Sequence, residues 1–269
     1  MKTKQLVAMA ALALLVALPA RAAEVVSSNI VGYEKINVPA NAMDIVAVQF
    51  QDVGENGVIG LQSITVEGYS PSGVDWIKIY DPSTSRYVTA RYWGEEADGG
   101  VYDPSDAEYN NPLGSGWGDV DQFAINVTLD AGQAVWTQAE TGGKLVVSGE
   151  VASTNKVVIP ANTMTLVGNP LPMAVPLQSI TVEGYSPSGV DWIKIYDPST
   201  SRYVTARYWG EEADGGVYDP SDTEYENPLG AGWGDVDQFM ITTTISAGQG
   251  FWTQSETGGK LVFPAVPAN

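Results

Sequence analysis

Between Trp93 and Phe123 the chain carries eight carboxylates, Glu95, Glu96, Asp98, Asp103, Asp106, Glu108, Asp119 and Asp121, with no Lys or Arg among them. Acids packed this densely repel one another unless they are solvated, protonated or neutralised by a cation, and Ca²⁺ takes about 6–8 oxygen ligands of this kind. One expectation is therefore a Ca²⁺ site drawn from Asp103, Asp106, Glu108, Asp119 and Asp121, with a second from Asp219, Asp222, Glu224, Asp235 and Asp237. The competing reading is a solvated loop, since charge runs usually are, and the spacing matches neither an EF-hand nor a glycine-rich Ca²⁺ repeat. Nothing in the chain requires a cofactor.

A second chemistry resides in aromatic rings. In "DWIKIYDPSTSRYVTARYW", Asp75 to Trp93, Ile77 and Ile79 alternate with Trp76, Lys78 and Tyr80. If the isoleucines point inward, Trp76, Tyr80, Tyr87, Arg91 and Trp93 share the opposite face, as do Trp192, Tyr196, Tyr203, Arg207 and Trp209 in the later copy. Such a face supports three uses: stacking on sugar rings with cation–π support, packing against another surface, or an ordinary core.

Other chemistries are excluded by composition. The chain has no Cys and no His, which removes disulfides, thiolate metal sites, cysteine nucleophiles, Ser-His-Asp catalysis and the commonest base near neutral pH. A formal charge of −19 repels phosphate backbones, so nucleic acid is not a partner. Two carboxylates suffice for glycoside hydrolysis, but nothing singles out a pair among so many. The expectation is that the protein is not an enzyme.

The elements that must position these residues are written twice. Leu61–Asp106 recurs letter for letter as Leu177–Asp222, 116 residues later, and the alignment runs on without a gap to Val147 and Phe263. Upstream, "INVPANAMDIVAVQF" from Ile36 pairs with "VVIPANTMTLVGNPL" from Val157. Residues 1–22 read as a secretory signal peptide: an uncharged run from Leu6 to Leu18, too short to span a bilayer, then Ala20-Arg21-Ala22. The expected organisation is a signal peptide over 1–22 and two domains, 23–149 and 150–269, each near the usual domain size. Within a copy, "DWIKIY" and "RYVTARYW" alternate with period two around a "DPSTS" turn. "DIVAVQF", "QFAINVTL", "QAVWTQ" and "GKLVV" are further strands between Gly-, Asn- and Asp-rich turns. The fold class is all-β: two tandem homologous β-sandwich or barrel-like domains.

Three stretches, "VVIPANTMTLVGNPLP" (Val157–Pro172), "DWIKIYDPSTSRYV" (Asp191–Val204) and "ISAGQGFWTQSETGGKLVF" (Ile245–Phe263), carry a resemblance. They resemble a family of secreted bacterial β-repeat proteins that open with an "NIVGY"-like strand, here Asn29–Tyr33, and close each unit with an Ala/Pro-Gly-aromatic turn. The resemblance implies an exported β-protein and carries over no catalytic or binding residue. The functional expectation is a noncatalytic structural or adhesive protein in the periplasm, at the cell surface or in the medium. Its partners would be copies of itself, joined head to tail, or other surface proteins, with the strand "SSNIVGYEKINV" added to a neighbour's sheet. The rival is a bivalent glycan-binding protein, Ca²⁺-dependent if the acidic loops hold the ion.

Overall fold

A computed structural model describes residues 31–52, 57–95, 99–151, 155–197, 199–211 and 215–265. The signal peptide falls outside them. The structure is all-β, with small antiparallel sheets in a four-blade, propeller-like arrangement. Among the described residues no helix is long and apolar enough to cross a membrane.

The pivot of each copy is the hairpin read from the sequence. Ser72–Asp81 pairs antiparallel with Arg86–Trp93, and Ser188–Asp197 with Arg202–Trp209. Its turn is fixed by an acid. Asp81 accepts hydrogen bonds from the Ser83 amide at 2.9 Å, the Ser83 hydroxyl at 2.7 Å and the Thr84 hydroxyl at 2.9 Å, and these hold its carboxyl below the usual range. At the other end of the hairpin, Gly73 lies in left-handed backbone (φ 71°), and a Cβ there would stand 2.5 Å from the Trp93 ring. Only glycine lets the strand bend under that indole.

Ala134–Gln138 and Met43–Ala47 extend the hairpin on one side, and Gly116–Gly118 extends it on the other, giving a five-stranded sheet. A second sheet joins Val31–Val38, Gly143–Val151, Phe50–Gln51 and Thr65–Glu67. Ile77, Ile79, Val46 and Val135 from the first sheet and Val38, Phe50, Leu145 and Val147 from the second bury into one cluster. Copy two repeats this from Val157 to Phe263, with its own cluster around Ile193, Phe251, Leu261 and Phe263.

Trp117 is fully buried and donates Nε1–H to the Ile64 carbonyl at 2.8 Å. The Gln62 amide clamps the same segment, donating to the Trp117 carbonyl at 2.6 Å and accepting the Trp117 amide at 3.0 Å. Trp233 and Gln178 repeat the clamp.

One strand expectation is corrected. "QFAINVTL" is not one strand: Gln122 has φ 66°, Phe123 and Ala124 make single bridges to Tyr102 and Gly118, and only Thr128–Asp130 is a strand. The segment passes from bridges beside Tyr102 and Gly118 to a separate two-stranded sheet with Val58–Gly60, so no continuous ladder runs along it. The eight residues Val31–Val38 pair in register with Gly143–Val151 of the same chain and form an edge of that sheet, while Ser27–Ile30 of the same segment lie outside the described residues.

Asp75 is fully buried and accepts the amides of Ser70 at 2.5 Å and Glu140 at 2.7 Å, tying the hairpin to the turn after Gln138. Replacing Asp75 by Ala removes the acceptor of two part-buried amide donors. The expected loss is about 2–4 kcal/mol of folding free energy, read by chemical denaturation.

Candidate functional site

The structure divides the ten aromatic-face residues among different surroundings. Tyr80 and Tyr196 are buried between the two copies, in a third apolar cluster with Ile45, Ala47, Ala134, Leu166 and Trp252. Trp192, half-buried, packs against that cluster together with Trp136. Trp76 and Trp192 are each covered by a lysine of their own strand, Lys78 at 4.4 Å and Lys194 at 4.6 Å from the ring centre. Tyr87 and Tyr203 stay more than 40% exposed at the seam's margin, each beside a seam tyrosine at 5.2 Å. Arg91 donates to the Gly73 carbonyl and Trp93 to the Asp119 carbonyl, and Arg207 and Trp209 do the same with Gly189 and Asp235. The cation–π partner is therefore the lysine, while the arginine closes a bulge.

The contact between the copies is reciprocal. Tyr80 meets Trp252 edge-on at 5.0 Å, and its counterpart Tyr196 meets Trp136, the counterpart of Trp252, at 5.2 Å. The Ala47 amide donates to the Gly248 carbonyl at 2.7 Å, and the matching Gly168 amide donates to Gly132 at 2.9 Å. Bridges Val46 to Gln249 and Gln133 to Val167 repeat the exchange. An interface in which each surface uses the same patch is isologous and closes on itself. This pseudo-twofold seam makes one compact unit of the chain from Val31 onward.

Close approach at the dyad depends on small residues that differ between the copies. A Cβ on Gly250 would lie 2.3 Å from Ile45 Cγ2 and 2.7 Å from the Cβ of its own counterpart, Ala134. A Cβ on Gly168 would lie 2.6 Å from that of its counterpart, Ala47. One alanine and one glycine fit where two alanines collide, so the seam admits copy one against copy two and rejects copy one against itself. Other substitutions between the copies fall in the interiors: Val135 and Phe251 sit in separate cores. The signal missed was Ala against Gly at two matched positions.

In the acidic loops, carboxylates serve as turn acceptors. Asp103 accepts from the amide and hydroxyl of Ser105, Asp106 from the Glu108 amide, Asp119 from the amides of Asp121 and Phe123, and Glu108 from the Asn110 amide group. Asp219, Asp222 and Asp235 do likewise, and Glu224, Asp121 and Asp237 are exposed. Among the described residues no three acids gather as a metal-holding group.

The loops also present a feature that sequence reading passed over. Tyr109 packs between Tyr102, edge-on at 4.8 Å, and Phe123, tilted at 4.9 Å, while taking φ 57°, a left-handed conformation unusual for a bulky residue. It stays 42% exposed, as Val120 does at 69%. Tyr225 and Val236 repeat the pair. Backbone strain of this kind gathers at functional positions. An apolar pair standing inside an acidic run was the available cue. No protein-family model, no curated protein and no solved structure matches this chain.

Gly250→Ala is expected to destabilise the protein by about 1–3 kcal/mol through overpacking. A double-mutant cycle of Tyr80→Ala with Trp252→Ala is expected to show about 0.5–1.5 kcal/mol of coupling. Both are read from melting and denaturant curves.

Proposed function

We propose that this chain is a noncatalytic, exported structural or adhesive protein. In this reading a leader over 1–22 is removed and each copy, 23–149 and 150–269, is one β-sandwich domain. The protein engages its surroundings through two matched loops rather than by polymerising end to end. What carries the proposal is the seam. An isologous contact leaves no complementary half-interface free at either end, so the chain holds its two loops as a fixed pair instead of propagating a filament. The absence of His and Cys from the sequence removes Ser-His-Asp and cysteine-based catalysis from both copies. The exposed Tyr109, Val120, Tyr225 and Val236, each set among acids, are the surfaces offered to a partner.

Bivalence has a measurable signature, because tethering the second site raises apparent affinity without any new contact. Retention of the labelled protein on the envelope or extracellular fraction of its producing cells is expected to fall roughly 10- to 100-fold when Tyr109 and Val120 are both replaced by Ser. It should vanish when Tyr225 and Val236 are changed as well. Equal retention of single-loop and unmodified protein contradicts the reading. On a glycan array, binding abolished by Trp76→Ala with Trp192→Ala points to the sugar-binding rival instead.

A further inference from the structure

Each copy places a β-turn over a cleft between strands of the other copy. The turn Ser246–Gln249 of copy two covers a cavity of about 410 Å³ walled by Glu34–Asn37 and Asp44–Val46 of copy one. The pseudo-twofold counterpart, about 470 Å³, lies under Asp130–Gln133 and is walled by Lys156–Val158 and Thr165–Val167. In the aligned sequences Asn155 stands where copy one has Glu34, and Thr165 where it has Asp44. One cleft thus takes two acids from its own walls. The other holds a single carboxylate, the exposed Asp130 of the inserted turn.

Those two acids stand on opposite walls. Glu34 alternates in step with Ile36 and Val38 on one sheet, and Asp44 with Val46 and Val48 on the other, all of which pack in or against the core of copy one. Glu34 Oε2 is sealed from solvent without a hydrogen-bond partner, and its Oε1 would lie 3.6 Å from a Cβ placed on Gly248. Asp44 Oδ1 accepts the Ile45 amide at 2.8 Å.

The surroundings offer little compensation. Lys35, on the rim, has its Nζ 2.5 Å from Glu67, which Lys144 also approaches at 3.9 Å. Glu150, on the strand beside Glu34, is acidic. Thr137, paired with Asp44, and the whole turn Ser246–Gln249 carry no charge. Burial raises the Glu34 carboxyl and pushes Asp44 up to about 6.

We propose that the seam is an acid-tightened joint, in which protonation of Glu34 and Asp44 lets the Ala247–Gly248 turn close on copy one and their ionisation loosens it. The proposal rests on the seam alone and stands apart from the adhesive reading. The sign follows from linkage. An acid that folding makes harder to ionise adds stability that is complete below its unfolded value and lost as pH rises through its folded one. For Asp44 that window runs from about 3.8 to about 6.

Glu34→Asn with Asp44→Thr writes the residues of copy two's cleft into copy one. Chemical denaturation of both proteins at about pH 5 and about pH 7.5 isolates these two acids from the rest. The unmodified protein is expected to lose at least roughly tenfold more of its folding equilibrium constant than the variant over that interval. Parallel losses overturn the proposal. Should the variant not fold, NMR titration of the Asp44 carboxyl in the unmodified protein decides: a midpoint above about 5 supports the joint, and one below it overturns it.

Discussion

The rest of the structure depends on how closely two backbones approach at the pseudo-twofold axis. Gly250 and Ala134 meet there, as do Gly168 and Ala47, and in each pair the glycine leaves room that a second methyl group would fill. That approach brings Ala47 and Gly248 within hydrogen-bonding reach on one side and Gly168 and Gly132 on the other. It also lets the edges of Trp252 and Trp136 settle on Tyr80 and Tyr196. The aromatic rings, with Ile45 and Leu166, form the apolar contact and the small residues set the distance. Widening the gap by one methyl group weakens both contributions at once, because dispersion and hydrogen bonding are short-ranged.

A pair of near-identical surfaces meeting across a dyad would ordinarily pair with any other copy, within a chain or between chains. The Ala-to-Gly differences narrow that choice, since like pairing of copy one is sterically blocked. Specificity here comes from shape and not from charge. This suits a chain of formal charge −19, whose surface supplies few lysines or arginines for directing ion pairs. The visible ion pairs, Lys35 and Lys144 with Glu67 and Lys156 with Glu183, are exposed and lie within a copy, so they add little to stability or to pairing.

Much of the fold was legible in the chain. Period-two alternation located the Ile77 and Ile79 face, and Asp81-Pro82 marked the hairpin turn that the Ser83 and Thr84 hydrogen bonds close. The exact repeat announced matching elements, and the structure gives each copy its own apolar cluster. What the sequence did not disclose is which outward face meets which. Tyr80 and Tyr87 alternate in the same way, yet one is 9% exposed and the other 43%, because their burial is decided by residues of the other copy. "QFAINVTL" failed as a strand for a related reason: β-branched and aromatic composition indicates a strand only where a neighbouring strand exists to pair with it. The acidic loops were visible as carboxylates but not as turns, since Asp103, Asp106 and Asp119 each bind backbone amides a few residues ahead, which local spacing alone does not reveal.

The central claim is that the two copies meet through one surface used twice. Amide hydrogen exchange at Ala47 and Gly168 tests it most directly, because these two donors cross the seam in opposite directions at 2.7 Å and 2.9 Å. A reciprocal seam predicts strong protection at both, rising and falling together as denaturant is added. Rapid exchange at either one, as at an open sheet edge, while the other stays protected would contradict it.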